Sequence, residues 1–234
     1  MSLTLREIAK KHDAKKDDPC LDLYTEKFET LRDQPLTFLE MGVQGGGSVK
    51  MWSEFFPNAR IIGIDLTDFS EHARGDRIEF FQGRQEDAVF LDSICEKTGI
   101  DQFDVILDDA SHFGLYTKRS YEILFDRRLK RGGFYIIEDW GTGYWDDWPD
   151  GSRYQAPPTE VAVEGQEAHF IYRPDEAVGL LPKTFHSHQF GMVGFIKQLV
   201  DEAHHGAIKN AHPYRLSKFD SMIIKEGVVL ITKK

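Results

Sequence analysis

From residue 36 onward the chain alternates short apolar runs with longer stretches of helical spacing. The apolar runs predict strands over 37–42, 60–66, 78–82, 103–107 and 133–137. Helices are predicted between them, over 48–56, 85–97 and 115–129. This alternation argues for right-handed βαβ crossovers and a parallel sheet covered on both faces. Ahead of it, residues 3–12 and 21–33 read as two helices, the second stopped by Pro35. Regularity lapses after Trp140. Residues 141–188 are rich in proline, glycine, aromatics and acids, the pattern of a lid or insertion. A helix is predicted again over 189–204. The chain closes with strands over 220–225 and 228–232 around Glu226-Gly227, a hairpin signal. The organisation that follows is an N-terminal helical segment, 1–35, and an α/β domain, 36–234, with the insertion at about 141–188. Its fold class is a doubly wound, mostly parallel seven-stranded sheet with a C-terminal antiparallel hairpin.

Two of the predicted strands end in acids: FDVILDD in Asp108-Asp109, and GGFYIIED in Glu138-Asp139. If these strands are neighbours, both pairs arrive at one sheet edge, where α/β proteins bind ligands. Clustered carboxylates repel one another, and a divalent cation is the usual answer to that repulsion. An oxygen-only donor set suits Mg2+ or Ca2+ better than Zn2+. A hydrogen-bonded acidic rim or a set of helix caps is the other reading of these acids. His112 follows Asp109 by three residues, near enough to work beside a metal or simply to cap the next helix.

The first strand leads into a glycine turn, Gly42-Val43-Gln44-Gly45-Gly46-Gly47, and the second ends at Asp65. Glycines after a buried strand let backbone approach a ligand, and an acid at the next strand end holds ribose hydroxyls. Together they indicate an adenosine-bearing cofactor. The turn is not the G-x-G-x-x-G of dinucleotide sites, which argues against a pyrophosphate and against NAD.

Charge and composition narrow the partners. The net charge of −10 disfavours nucleic acid and anionic membrane surfaces. The KKHDAKK run is short and interleaved with acid, and reads as a solvated surface. Cys20 and Cys95 lack metal-site or redox spacing, and no secretory leader or long apolar run is visible, so a reduced, cytoplasmic protein is expected. His186, His188, His204 and His205 read as surface residues. Tyr144, Trp145 and Trp148 can stack on a sugar ring or pack within the insertion.

In order and spacing, LEMGVQGGGSVKMWSEFFPNARIIGIDL, FFQGRQED, DVILDDASH and GGFYIIEDWGTGYW resemble the class I S-adenosylmethionine methyltransferases. They are most similar to the metal-dependent sugar O-methyltransferases of macrolide biosynthesis, with acidic motifs shared by cephalosporin hydroxylase-like proteins. The resemblance covers roughly residues 36–145 and continues loosely into 190–202 and the final hairpin. It implies an S-adenosylmethionine- and Mg2+-dependent enzyme that methylates a sugar hydroxyl of a glycoside, oligosaccharide or natural product. A cephalosporin hydroxylase-like activity, a catechol-like diol O-methyltransferase and, further off, an NAD-dependent oxidoreductase are the alternatives. By position, it implies that Glu40, Gly42 and Ser48 line the methionine and ribose side of the cofactor, and that Asp65 binds the ribose. Gln85 and Asp87 are implied near the cofactor and the metal edge, and Asp108 at the methionine end. Asp109, Glu138 and Asp139 are the implied metal ligands, His112 the general base, and Tyr144 and Trp145 the contacts to substrate. Arg84 stands where the family often has an acid. A small-molecule or oligosaccharide acceptor is expected as partner, with a homodimer or tetramer possible.

Overall fold

The computed structural model describes residues 2–152, 188–208 and 214–234. Among them lies a seven-stranded sheet of order β3-β2-β1-β4-β5-β7-β6. Its strands are β1 (Thr37–Met41), β2 (Arg60–Asp65), β3 (Ile78–Gln82), β4 (Phe103–Asp108), β5 (Leu129–Glu138), β6 (Phe219–Lys225) and β7 (Val228–Lys233). β1 pairs in parallel with β2 and β4, and β4 with β5. β7 runs antiparallel to both β5 and β6. The carboxyl ends of β1, β2, β4 and β5 therefore share one edge. The predicted part of 141–188 that spans 153–187, with His186, lies outside the described residues.

The helices are α1 (Leu5–Lys11), α2 (Asp18–Phe28), α3 (Gly47–Phe55), α4 (Ala88–Thr98), α5 (Gly114–Arg128) and α6 (Gly191–Ala203). They cover the two faces of the sheet in separate apolar layers. One layer holds residues of α1, α2 and α3 against Phe38, Ile61, Val105 and Leu107. The other holds residues of α4, α5 and α6 against Leu39, Ile62, Ile106 and Ile137. The alternation of adjacent strand residues between the layers is the period-two geometry of a strand. Tyr24 and Phe28 of α2 lie fully buried in the first layer, with Trp52 stacked on Phe38 at 4.9 Å. The N-terminal helices thus share the core of the sheet, and the strand ends lie beneath the connection between them.

The second helix runs over Asp18–Phe28 rather than the predicted 21–33, and two further boundary differences have a local cause. β5 begins at Leu129, predicted as the end of a helix, because Leu129 is fully buried and pairs with Phe103. The register shifts past Lys130–Gly133 before regular pairing resumes at Phe134. α4 begins at Ala88, not residue 85, because the Asp87 carboxylate accepts from the Val89 and Phe90 N–H groups and caps it.

Candidate active site

The glycine turn is built around a close approach. Gly42 has φ +87°, and a Cβ there would lie 2.1 Å from the Asp109 carbonyl oxygen. Only glycine lets the β1 turn and the β4 end lie this close. The Asp109 N–H donates to Met41 O at 2.9 Å, completing the junction. Asp65 organises the turn from the other side. Its Oδ2 accepts from the Val43 and Gln44 N–H groups at 3.0 and 3.2 Å, and its Oδ1 from Thr67 N–H at 2.9 Å. Gly42, Asp65, Gly83, Gln85, Ser111 and Tyr116 are among the residues that line a cavity of about 390 Å³.

A narrow space of about 40 Å³ continues from Gly42 past Ser48, Lys16 and Asp109. Beyond Lys16 a third cavity, about 450 Å³, opens between the α1–α2 connection and the end of β5. Asp17, Cys20, Glu138 and Asp139 line it. The acids therefore lie at the partition between two spaces, each large enough for a small molecule.

Asp109, His112 and Asp139 offer ligand atoms that all lie within 4.8 Å of one another. His112 Nε2 is 3.6 Å from Asp139 Oδ2. Both residues have φ 52°, in the left-handed region. Among the described residues, the other non-glycine residues with positive φ are Asp13 and Gln44, which line the narrow space beside them. Such conformations persist where surrounding contacts over-determine them, and they collect at functional sites. The contacts are visible here. The His112 carbonyl accepts from Thr142 Oγ1 and Trp148 Nε1, each at 3.1 Å. The Asp139 N–H donates to Gly227 O at 2.7 Å, so the C-terminal hairpin turn fixes the far side. Burial raises the Asp139 pKa above the ordinary carboxylate value, against the opposing pull of His112.

The four-carboxylate cluster contains its own cation. Lys16 Nζ lies 2.6 Å from Asp109 Oδ2, 3.0 Å from Glu138 Oε1 and 3.2 Å from Glu40 Oε1. Its side chain is 1% exposed. Burial opposes its charge, but Asp109, Glu138 and Glu40 outweigh burial and hold its pKa well above the usual lysine range. Tyr24 OH donates to Glu138 Oε1. The KKHDAKK run, expected to be solvated, thus ends in a fully buried lysine.

No protein-family model matches the chain. Over 130 residues, 52% of this chain and 32% of the relative, it is 42% identical to the 8-demethyl-8-(2-methoxy-alpha-L-rhamnosyl)-tetracenomycin-C 3'-O-methyltransferase of Streptomyces olivaceus. It is 40% identical to the mycinamicin VI 2''-O-methyltransferase of Micromonospora griseorubida over 146 residues, 59% of this chain and 35% of that one. The chain spans about a third of the length of these curated relatives. Among solved structures it matches the MycE methyltransferase of the mycinamycin biosynthetic pathway, in complex with Mg and SAH. The match has a TM-score of 0.74 at 27% identity, over 100% of this chain and 55% of that one. This is the class I methyltransferase fold. Its relatives are sugar O-methyltransferases, and MycE has also been solved with Mg, SAH and mycinamycin VI together.

Within the methyltransferase fold, Gly42, Asp65 and Gln85 line the large cavity, and Ser48 the narrow space. Glu40 is fully buried, held by Ser48 Oγ at 2.9 Å and by Lys16. Asp108, expected at the methionine end, instead lies beneath the cavity. Gln85 Nε2 donates to both its oxygens at 3.0 Å, and burial pushes its pKa up to about 7. Asp87, expected near the metal edge, is taken up by the cap of α4. Glu138, an expected ligand, pairs with Lys16 and Tyr24 next to the Asp109–His112–Asp139 group, its Oε1 3.0 Å from the same Nζ that Asp109 Oδ2 approaches at 2.6 Å. Tyr144 and Trp145, expected on the substrate, line none of the three cavities. Tyr144 packs edge-on against His188 at 4.9 Å, and Trp145 is half exposed. Trp148 is the aromatic beside His112, at 6.0 Å between rings. His188, read as a surface residue, is buried under Tyr144 and Phe190. Lys16 and Tyr24 are the neighbours of the acids that sequence spacing did not single out, and Trp148, read as stacking on a sugar or packing, lies against His112. The position of Lys16 directly before the acidic start of α2 was the available hint.

Proposed function

We propose that this chain transfers a methyl group from S-adenosylmethionine to a sugar hydroxyl of a glycoside, with a divalent cation held by Asp109, Glu138 and Asp139. The observation that carries the reading is the Asp109–His112–Asp139 group, set between the glycine-turn cavity and the cavity beside Glu138. The likeness to sugar O-methyltransferases supports it.

The donor set fits a hard cation: the part-buried Asp109 and Asp139 carboxylates, with Glu138 beside them, from strand ends the fold holds together. Glu40 lies behind them, its Oε1 3.2 Å from Lys16 Nζ. Bound there, Mg2+ would lower the pKa of a coordinated sugar hydroxyl and fix its orientation.

The remaining work falls to the chain. Asp65 and the N–H groups it orders shape the turn against which a ribose can lie. His112 is the general base: Asp139 and the two hydrogen bonds to its carbonyl hold the imidazole at the partition between the cavities. The acceptor occupies the cavity lined by Asp17, Cys20, Glu138 and Asp139, whose polar rim suits a hydroxyl-rich ring. Methyl transfer is an in-line displacement, so the principal demand on the protein is to hold donor and acceptor on one line through this partition.

The test is release of S-adenosylhomocysteine with a panel of glycosides, before and after exhaustive chelation. Turnover with a glycoside that stops with EDTA and returns with Mg2+ is expected. Full turnover in EDTA would overturn the metal role. Turnover only on catechols would overturn the acceptor class.

A further inference from the structure

The acid cluster has a feature that metal binding alone does not require. A buried ammonium already sits between Asp109, Glu138 and Glu40. Lys16 lines both the narrow space beside the glycine turn and the cavity beside Asp139, so it stands in the wall between them. Its neighbour Lys15 borders the same two spaces, but its side chain is 70% exposed and paired with Asp13, not with the buried acids. Lys16 comes from the connection between α1 and α2, far in sequence from the strands whose acids it joins. Tyr24 OH donates to the same Glu138 carboxylate, and Ser48 Oγ to Glu40.

We propose that Lys16 is a positioning residue, a tethered counter-cation that holds Glu138 and Glu40 in place and limits how tightly a divalent cation binds at Asp109 and Asp139. This rests on the metal-dependent reading above. Glu40, Asp109, Glu138 and Asp139 together carry up to four negative charges in a largely dehydrated space. One ammonium offsets one of them permanently and occupies Asp109 Oδ2 and Glu138. An arriving cation therefore meets a shared Asp109 and a Glu138 already engaged. Without Lys16, the Asp109 and Glu138 oxygens it occupies are released to the cation and a positive neighbour is gone, so the cation should bind more tightly. Without either cation, buried carboxylates are left facing one another, and the fold loses stability.

The experiment compares wild type, Lys16→Met, Lys15→Met and Lys16→Met/Glu40→Gln. Mg2+ affinity is read by calorimetry, and thermal unfolding is followed in EDTA and in Mg2+. Lys16→Met should melt about 10 °C below wild type in EDTA. It should bind Mg2+ at least about tenfold more tightly and recover most of the lost melting temperature when Mg2+ is added. Lys15→Met should match wild type in both readouts. If Lys16→Met is unfolded even in Mg2+, the double variant, which removes one of the uncompensated acids, should fold and bind the metal. A Lys16→Met protein that binds Mg2+ no more tightly than a metal-binding wild type overturns the proposal and leaves the metal reading standing. So does a double variant that stays unfolded while wild type binds Mg2+. If neither wild type nor a folded Lys16 variant binds Mg2+, the metal reading falls as well.

Discussion

Asp108→Asn isolates the buried carboxylate beneath the cavity. Asp108 is 2% exposed, and its pKa lies at about 7 against an ordinary 3.8, chiefly because burial penalises the charged form. A carboxylate whose folded pKa is raised contributes stability that is fully present below about pH 3.8. That stability is lost as pH rises through the folded value. At about 1.4 kcal/mol per unit, the whole effect is roughly 4 kcal/mol, of which roughly 2.5 kcal/mol falls between pH 5 and pH 8. Asparagine cannot ionise, and its side-chain oxygen can still accept from Gln85 Nε2. Urea unfolding of both proteins in EDTA, at pH 5, 6.5 and 8, measures the difference. The stability of the variant relative to wild type should rise by roughly 2 kcal/mol or more from pH 5 to pH 8. Parallel pH curves would mean that Asp108 titrates normally in the fold. The idea that burial keeps it protonated near neutrality, against the opposing donors of Ala110 and Gln85, would then be wrong.

His112→Ala should reduce turnover by about 10²–10⁴-fold while binding of S-adenosylhomocysteine is kept. A loss below about tenfold would leave His112 a structural residue. Asp65→Ala removes the acceptor for the Val43, Gln44 and Thr67 N–H groups, so cofactor affinity by calorimetry should fall at least about tenfold, with global stability less affected. Trp148→Phe keeps a ring beside His112 but removes the hydrogen bond to its carbonyl; kcat should fall several-fold with cofactor affinity unchanged, whereas Trp145→Ala should change kcat little. Tyr24→Phe deletes the buried donor to Glu138 and should destabilise the protein by about 2 kcal/mol in chemical unfolding.

Much of this molecule is a consequence of local pattern. Continuously buried runs such as Phe38–Met41 and Val105–Asp108, separated by helical spacing, dictate a parallel sheet with two apolar layers. A parallel sheet brings its carboxyl ends to one edge. The acid pairs at Asp108-Asp109 and Glu138-Asp139, the glycine turn at Gly42 and the acid at Asp65 all follow strand ends, so their meeting place was legible before any coordinate. Which acid meets which partner was decided elsewhere. Lys16 looks like part of a solvated basic run, and only the docking of α1 and α2 on the sheet carries it to Asp109 and Glu138, 93 and 122 residues away. Tyr24 reaches Glu138 across a similar separation, and Trp148 rather than Tyr144 comes to rest on His112. The hairpin turn at Gly227 is visible in sequence, but its hold on Asp139 exists only because β7 inserts antiparallel beside β5. Propensity and periodicity act over a few residues. Partner choice inside a dehydrated cluster is set by which elements pack together, and buried charge makes that choice costly to get wrong.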